Sequence, residues 1–153
     1  MSRFYWILFW LLAVLLNENM VQWALAIWVG GYSVSDGFDS AFKFFTPLGY
    51  AFFTLFRMIP YVILAKIIDR SSDRKKWVTQ AIAWGGLAGI VSMIVWGSWV
   101  SLHSLYTDAR VSSTTAIAFL FIPVWAILTG FIGSLLGVLV AFVGRKLRKP
   151  AYN

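Results

Sequence analysis

Two ionisable side chains, Glu18 and Arg57, each fall near the middle of a hydrophobic stretch long enough to cross a bilayer. A charge at the bilayer centre costs about 2.5–3.5 kcal/mol even on insertion scales, so such residues face a partner or a water-filled cavity. Other polar side chains surround them at helical spacing. Tyr50, Thr54, Arg57 and Tyr61 are 4, 3 and 4 residues apart and share one helix face, which Lys43 and Thr46 extend. Asn19 and Gln22 lie on the same broad face as Glu18. The cluster Glu18, Asn19, Gln22, Tyr50, Thr54, Arg57 and Tyr61 therefore has two chemistries open to it. One is a buried Glu18–Arg57 ion pair that fixes the register of two helices. The other is passage of an ion, a proton or a substrate. A first span shorter than the one drawn below would instead put Glu18 at the membrane interface.

Glu18 lies about 14 residues, and Arg57 about 11, from the same membrane face, which is about 21 and 17 Å deep at 1.5 Å per residue. Those depths allow an ion pair between antiparallel neighbours. Other chemistry is poorly provided for. The chain has no cysteine, which excludes thiol redox chemistry and thiolate metal sites. Its one histidine, His103, falls in a predicted loop and reads as a solvated side chain. Asp36, Asp39 and Asp108 are too scattered for a calcium loop. No His-Glu-x-x-His, Gly-x-Ser-x-Gly or paired intramembrane aspartates occur. The expectation is a protein that is not an enzyme and holds no metal or cofactor.

Of the 153 residues, 60% are hydrophobic and 12% charged, and the mean hydropathy is +0.77. Soluble domains carry about twice that share of charge, so an integral membrane protein is expected. The fold class expected is an all-α bundle of four transmembrane helices forming a single membrane domain over 1–153. The spans read as 4–31, 42–68, 77–100 and 116–143. A cleaved signal is disfavoured, because Trp6 and Trp10 are bulky for its apolar core and no small-x-small site follows directly. Ending the first span at Leu16 would leave about 20 Å, short of the ~30 Å hydrocarbon core, so one continuous helix to Gly31 is expected. Residues 30–40 read as a short polar loop. Pro60 lies inside the second span, where it clashes with the carbonyl of Phe56 and should kink the helix beside Arg57.

Residues 69–76 read as a basic solvated loop, 103–115 as a loop, and 144–153 as a basic tail. One side of the membrane would hold Arg3, Lys66, Arg70, Arg74, Lys75, Lys76, Arg145, Lys146, Arg148 and Lys149, and the other only Lys43 and Arg110. Ten against two places both termini in the cytoplasm. The net charge of +7 is accounted for by topology and by anionic lipid at the basic cytoplasmic segments, with no nucleic acid implied. The two halves show no internal repeat.

Small residues mark how the later helices pack. Ala126, Gly130, Gly133, Gly137, Ala141 and Gly144 line one face of the fourth span, and Ala81, Gly85, Ala88, Gly89 and Ser92 one face of the third. Small faces let backbones approach closely in lipid. Gly85, Gly89, Gly130, Gly133, Gly137 and Ala141 are thus assigned to packing between the two spans or to an interface with a partner. Trp77, Trp96 and Trp99 fall near span ends, as an aromatic belt requires, while Trp6, Trp10, Trp84 and Trp125 lie deeper.

A glutamate in the first of four spans resembles the small multidrug exporters, in which such a residue exchanges protons for cationic drugs. The resemblance covers Glu18 and a helix count. This chain is longer, and Arg57 could neutralise the glutamate, so that mechanism is not carried over. The expectation is a small polytopic protein, most simply of a bacterial inner membrane, acting non-enzymatically as an accessory, assembly or immunity-type partner of another membrane component. The alternative is an ion- or proton-coupled transporter or channel, built as a homo-oligomer around Glu18 and Arg57.

Overall fold

The computed structural model describes residues 3–107 and 115–147, and these form helices with no strand. In chain order they are α1 (Arg3–Leu15), α2 (Glu18–Trp28), α3 (Val34–Phe42), α4 (Pro47–Arg70), α5 (Lys76–Thr107) and α6 (Thr115–Leu147). Three of them, α4, α5 and α6, are long and apolar enough to cross a membrane, and α1 with α2 makes a fourth candidate if the bent pair is one span. The end carrying Arg70–Lys76 is called the basic end below. Asp108, Arg110 and the tail beyond Leu147 lie outside the described residues.

The first span is not the continuous helix expected over 4–31. It breaks at Leu16–Asn17, and α1 and α2 meet at 55°. The polar loop expected over 30–40 is mostly a helix, α3, because Ser33 caps it. The Ser33 hydroxyl oxygen accepts the Asp36 backbone N–H at 3.1 Å. Gly31, at φ 67°, makes the turn out of α2. Stacked Phe38 and Phe42, with Trp23 packed edge-on against Phe38, hold α3 against α2. The start expected at residue 42 moves to Pro47, since proline suits a first helical position and forces Thr46 into an extended cap. The helix α4 then continues through Pro60 to Arg70.

The basic loop expected over 69–76 contracts to a tight turn. Ser71 is buried there, donating to the Ile68 carbonyl at 2.8 Å, and its own carbonyl accepts from Thr79 at 2.8 Å. His103 lies on α5 rather than in a loop, within 3.3 Å of the Thr107 hydroxyl. At the basic end the Arg145 guanidinium sits 5.1 Å from the centre of the Trp77 ring, joining α6 to α5.

The helices α5 and α6 touch through their backbones. A Cβ built on Gly85 would overlap the Gly133 carbonyl and come within 3.0 Å of Gly137 Cα. One on Gly89 would overlap the Thr129 carbonyl. Gly130 joins the same interface, its backbone N 3.2 Å from a Cβ built on Gly89, although its own Cβ would meet the flexible Ile90 side chain first, and Gly144 meets nothing within 4 Å. The close seam therefore runs along Gly85, Gly89, Gly130, Gly133 and Gly137, with Ala141 only at its edge. Ser134 adds a hydrogen bond across it, donating to the Ile82 carbonyl at 3.2 Å. The other side of α4 packs on α1 and α5, enclosing Phe9, Ala13, Met58, Tyr61, Leu64, Ile90 and Ile94.

Candidate functional site

The break in the first span is built by Asn17 and serviced by α4. Asn17 is extended at φ −64°, ψ 155°, and its side chain does not cap its own helix. It reaches across to α4, where Nδ2 donates to Thr54 Oγ1 at 2.8 Å and to the Tyr50 carbonyl at 3.4 Å. In return the Tyr50 hydroxyl donates at 3.0 Å to the carbonyl of Val14 at the end of α1, which otherwise accepts the Asn17 backbone N–H at 3.3 Å. Backbone that departs from a helix at membrane depth persists only where protein or a water-filled cavity satisfies it, and α4 does so here. Replacing Asn17 with leucine should cost about 1–3 kcal/mol, and Tyr50→Phe about 1 kcal/mol, through the hydrogen bonds removed. Thermal unfolding in detergent checks this; an Asn17→Leu protein as stable as the parent would mean that α4 does not hold the break.

The new helix start has an electrostatic consequence. Glu18 occupies the first turn of α2, where the positive end of the helix dipole favours a carboxylate. It faces a cavity of about 440 Å³ at the end of the bundle opposite the basic end. Asn19, Gln22, Ser40, Lys43, Thr46 and Tyr50 line this vestibule with it, and Phe44, Phe45 and Phe53 complete the wall. Asn19 Nδ2 donates to the Ala41 carbonyl near the end of α3 at 2.7 Å, and the Tyr106 hydroxyl donates to the Gln22 carbonyl at 3.3 Å. The helices α3 and α5 thus hold α2 over the vestibule.

Below the vestibule lies a buried polar layer. Thr54, Arg57 and Tyr61 follow one another down α4, and Ser98 of α5 joins them, all within 6% exposure. Arg57 Nη2 donates to Ser98 Oγ at 3.4 Å. Among the described residues Arg57 Nη1, the Tyr61 hydroxyl and Asn17 Oδ1 have no hydrogen-bond partner. The Phe9 ring stacks on Tyr61 at 5.4 Å, with Ala13, Met58 and Leu64 buried beside it.

Among the described residues Glu18 and Arg57 make no direct ion pair of the kind their sequence depths allow, although each lies within electrostatic reach of the other. The break at Asn17 swings Glu18 onto α2 and into the vestibule, while Arg57 stays deeper, beside Ser98. The seven-residue cluster expected from sequence is accordingly split. Glu18, Asn19, Gln22 and Tyr50 line the vestibule, and Thr54, Arg57 and Tyr61 belong to the buried layer. Asn17 and Ser98 were not among the expected site residues. Asn17 carried a signal, since asparagine followed by an acidic residue is the sequence form of a helix start. Ser98 carried none beyond being a small polar residue in an apolar helix.

The arrangement offers hydrogen-bond donors and one buried cation, with no nucleophile poised beside a base. Among the described residues no group of three histidines or carboxylates is placed to hold a metal ion. Comparison with protein-family models, with curated proteins and with solved structures finds no match, so no relative supplies a role for any of these residues.

Proposed function

We propose that this chain is a four-span integral membrane protein of a bacterial inner membrane, with both termini cytoplasmic, acting without catalysis as an accessory, assembly or immunity-type partner of another membrane component. The observation that carries the reading is that the polar interior ends blind. A vestibule opens at the end opposite the basic turn, and beyond the buried polar layer Phe9 stacks on Tyr61. A blind interior suits a protein that binds, rather than one that conducts. A place for a partner helix is present as well. Beside the glycine seam, α5 and α6 flank an open groove of about 810 Å³, with Trp84, Ala88, Ser92, Leu136, Val140 and Ala141 on its walls. The charge asymmetry of the loops supports the orientation, with the basic end in the cytoplasm.

A pull-down of the whole chain in mild detergent, read by mass spectrometry, tests the proposal. One membrane protein should be recovered in stoichiometric amount. It should be lost from Ala88→Trp, which fills the groove without entering the seam, while that variant keeps its thermal stability. Recovery of nothing stoichiometric, together with ion or proton flux in reconstituted vesicles, would overturn the reading in favour of transport. Transport, through a homo-oligomer, is the second reading, and the broken first span favours it. Discontinuous helices form substrate and ion sites in secondary transporters. It requires the Phe9–Tyr61 contact to open.

A further inference from the structure

Among the described residues the buried Arg57 has no carboxylate in direct contact, Glu18 acting on it only from a distance. Arg57 is 3% exposed, and its one hydrogen bond, to Ser98, uses Nη2 and leaves Nη1 unpartnered. The groups around it are donors. The Tyr61 hydroxyl is unpartnered. Ser98 Oγ accepts from Arg57, and Thr54 Oγ1 accepts from Asn17, so each retains its own proton to give. Among the described residues the unused acceptors are Asn17 Oδ1 and the Tyr61 hydroxyl oxygen. Donors outnumber acceptors around a positive charge, which is the chemistry that receives an anion. The N-terminus of α2, an eleven-residue helix starting beside Asn17, adds its positive dipole end. Lys43 stands in the vestibule above and favours anion entry.

We propose that the layer formed by Arg57, Tyr61, Ser98, Thr54 and Asn17 binds a small monovalent anion, either an inorganic halide or the carboxylate of a small molecule, admitted through the vestibule. The occupant is small because these side chains are at most 6% exposed. It enters from the vestibule end because Phe9 closes the other side. Its negative charge adds a direct contact to the longer-range attraction of Glu18, which lines the vestibule and forms no ion pair among the described residues. Glu18 instead stands at the entrance as a like charge that the anion must pass. The inference is independent of the partner reading above, because a bound anion can serve as a ligand or as a structural element.

The test uses the whole chain in detergent, exchanged into gluconate, an anion too large for the layer. Chloride, bromide and acetate are then titrated at constant ionic strength, reading the thermal midpoint and tryptophan fluorescence. A saturable rise in the midpoint is expected, with halides active if the site takes an inorganic ion and acetate active if it takes a carboxylate. Tyr61→Phe should weaken the apparent affinity about tenfold or more, the loss of one hydrogen bond to a charge. Ser98→Ala should weaken it less, and Arg57→Met should abolish the response. Glu18→Gln should tighten binding several-fold by removing the like charge at the entrance. A response that does not saturate, that gluconate reproduces, or that survives in Arg57→Met overturns the proposal. Should Arg57→Met fail to fold, an unchanged affinity in both Tyr61→Phe and Ser98→Ala overturns it equally.

Discussion

Gly133→Leu should abolish recovery of folded protein, or lower its stability by at least the roughly 3 kcal/mol that marks the upper end of overpacking costs. The reason is that no side chain can give way. The atoms a Cβ at Gly133 would meet are the Gly85 carbonyl group and Gly89 Cα, backbone on a facing helix. Gly85→Leu and Gly137→Leu meet the same seam from either side and should behave alike. Lipid offers no hydrophobic drive to hold the helices together once their backbones are separated, so the loss should show as dissociation of α6 from the bundle. Val140, 68% exposed on α6, is the control, and leucine there should leave the thermal midpoint unchanged. Val138 is a poorer control because it packs against the core. Size-exclusion profiles and thermal midpoints in detergent read the series. Equal tolerance at Gly133 and Val140 would mean that the two helices do not meet as described.

Arg57→Met should act in the opposite direction and stabilise the protein in gluconate, with no small anion present, by about 2–3 kcal/mol. That is the order of the cost of holding an arginine at the centre of a membrane helix. Replacing buried charges by apolar side chains of similar volume often raises stability by about 1–4 kcal/mol. Here the native charge has one 3.4 Å hydrogen bond to lose, and Glu18 makes no direct ion pair with it among the described residues. A residue that lowers the stability of its own fold is retained for what it binds. Adding the bound anion should narrow the gap, because only the parent gains from it. An Arg57→Met protein clearly less stable than the parent in gluconate would show that protein groups already satisfy the guanidinium. A strong non-additivity with Glu18→Gln would then identify Glu18 as the partner.

What the sequence made legible follows from how local each determinant is. The glycine seam could be read from spacing alone, since residues four apart share a helix face and small residues have one evident use in lipid. The helix α3 was missed because apolar content is low between Gly30 and Ser40. Yet Ser33 and Asp36 form a serine-x-x-aspartate start, and Phe38, Ala41 and Phe42 follow at helical spacing. The break at Asn17 was missed for the opposite reason. Apolar residues resume at once after Glu18 and Asn19, and one long helix satisfied the length a bilayer demands. The choice between one helix and two is made on α4, by Tyr50 and Thr54, which lie 33 and 37 residues away from Asn17. That long-range pairing also decides the site. Once Asn17 turns the chain, Glu18 can no longer be read from its depth along a straight span. The Arg57–Ser98 contact joins residues 41 apart with no pattern linking them.

The absence of native cysteine makes the blind vestibule directly measurable. Single cysteines at Asn19, Gln22 and Ser40, and then at Ala13, Leu64 and Asp73, can be probed with a membrane-impermeant maleimide applied to one face of sealed vesicles at a time. The account predicts that positions 19, 22 and 40 react only from the face opposite the basic turn, and that position 73 reacts only from the basic face. Positions 13 and 64 should react from neither. Labelling of position 13 or 64 from the basic face would reveal a path through the bundle. Silence at 19, 22 and 40 from both faces would remove the vestibule itself, and either result would contradict a polar interior that opens at one end and closes at Phe9 and Tyr61.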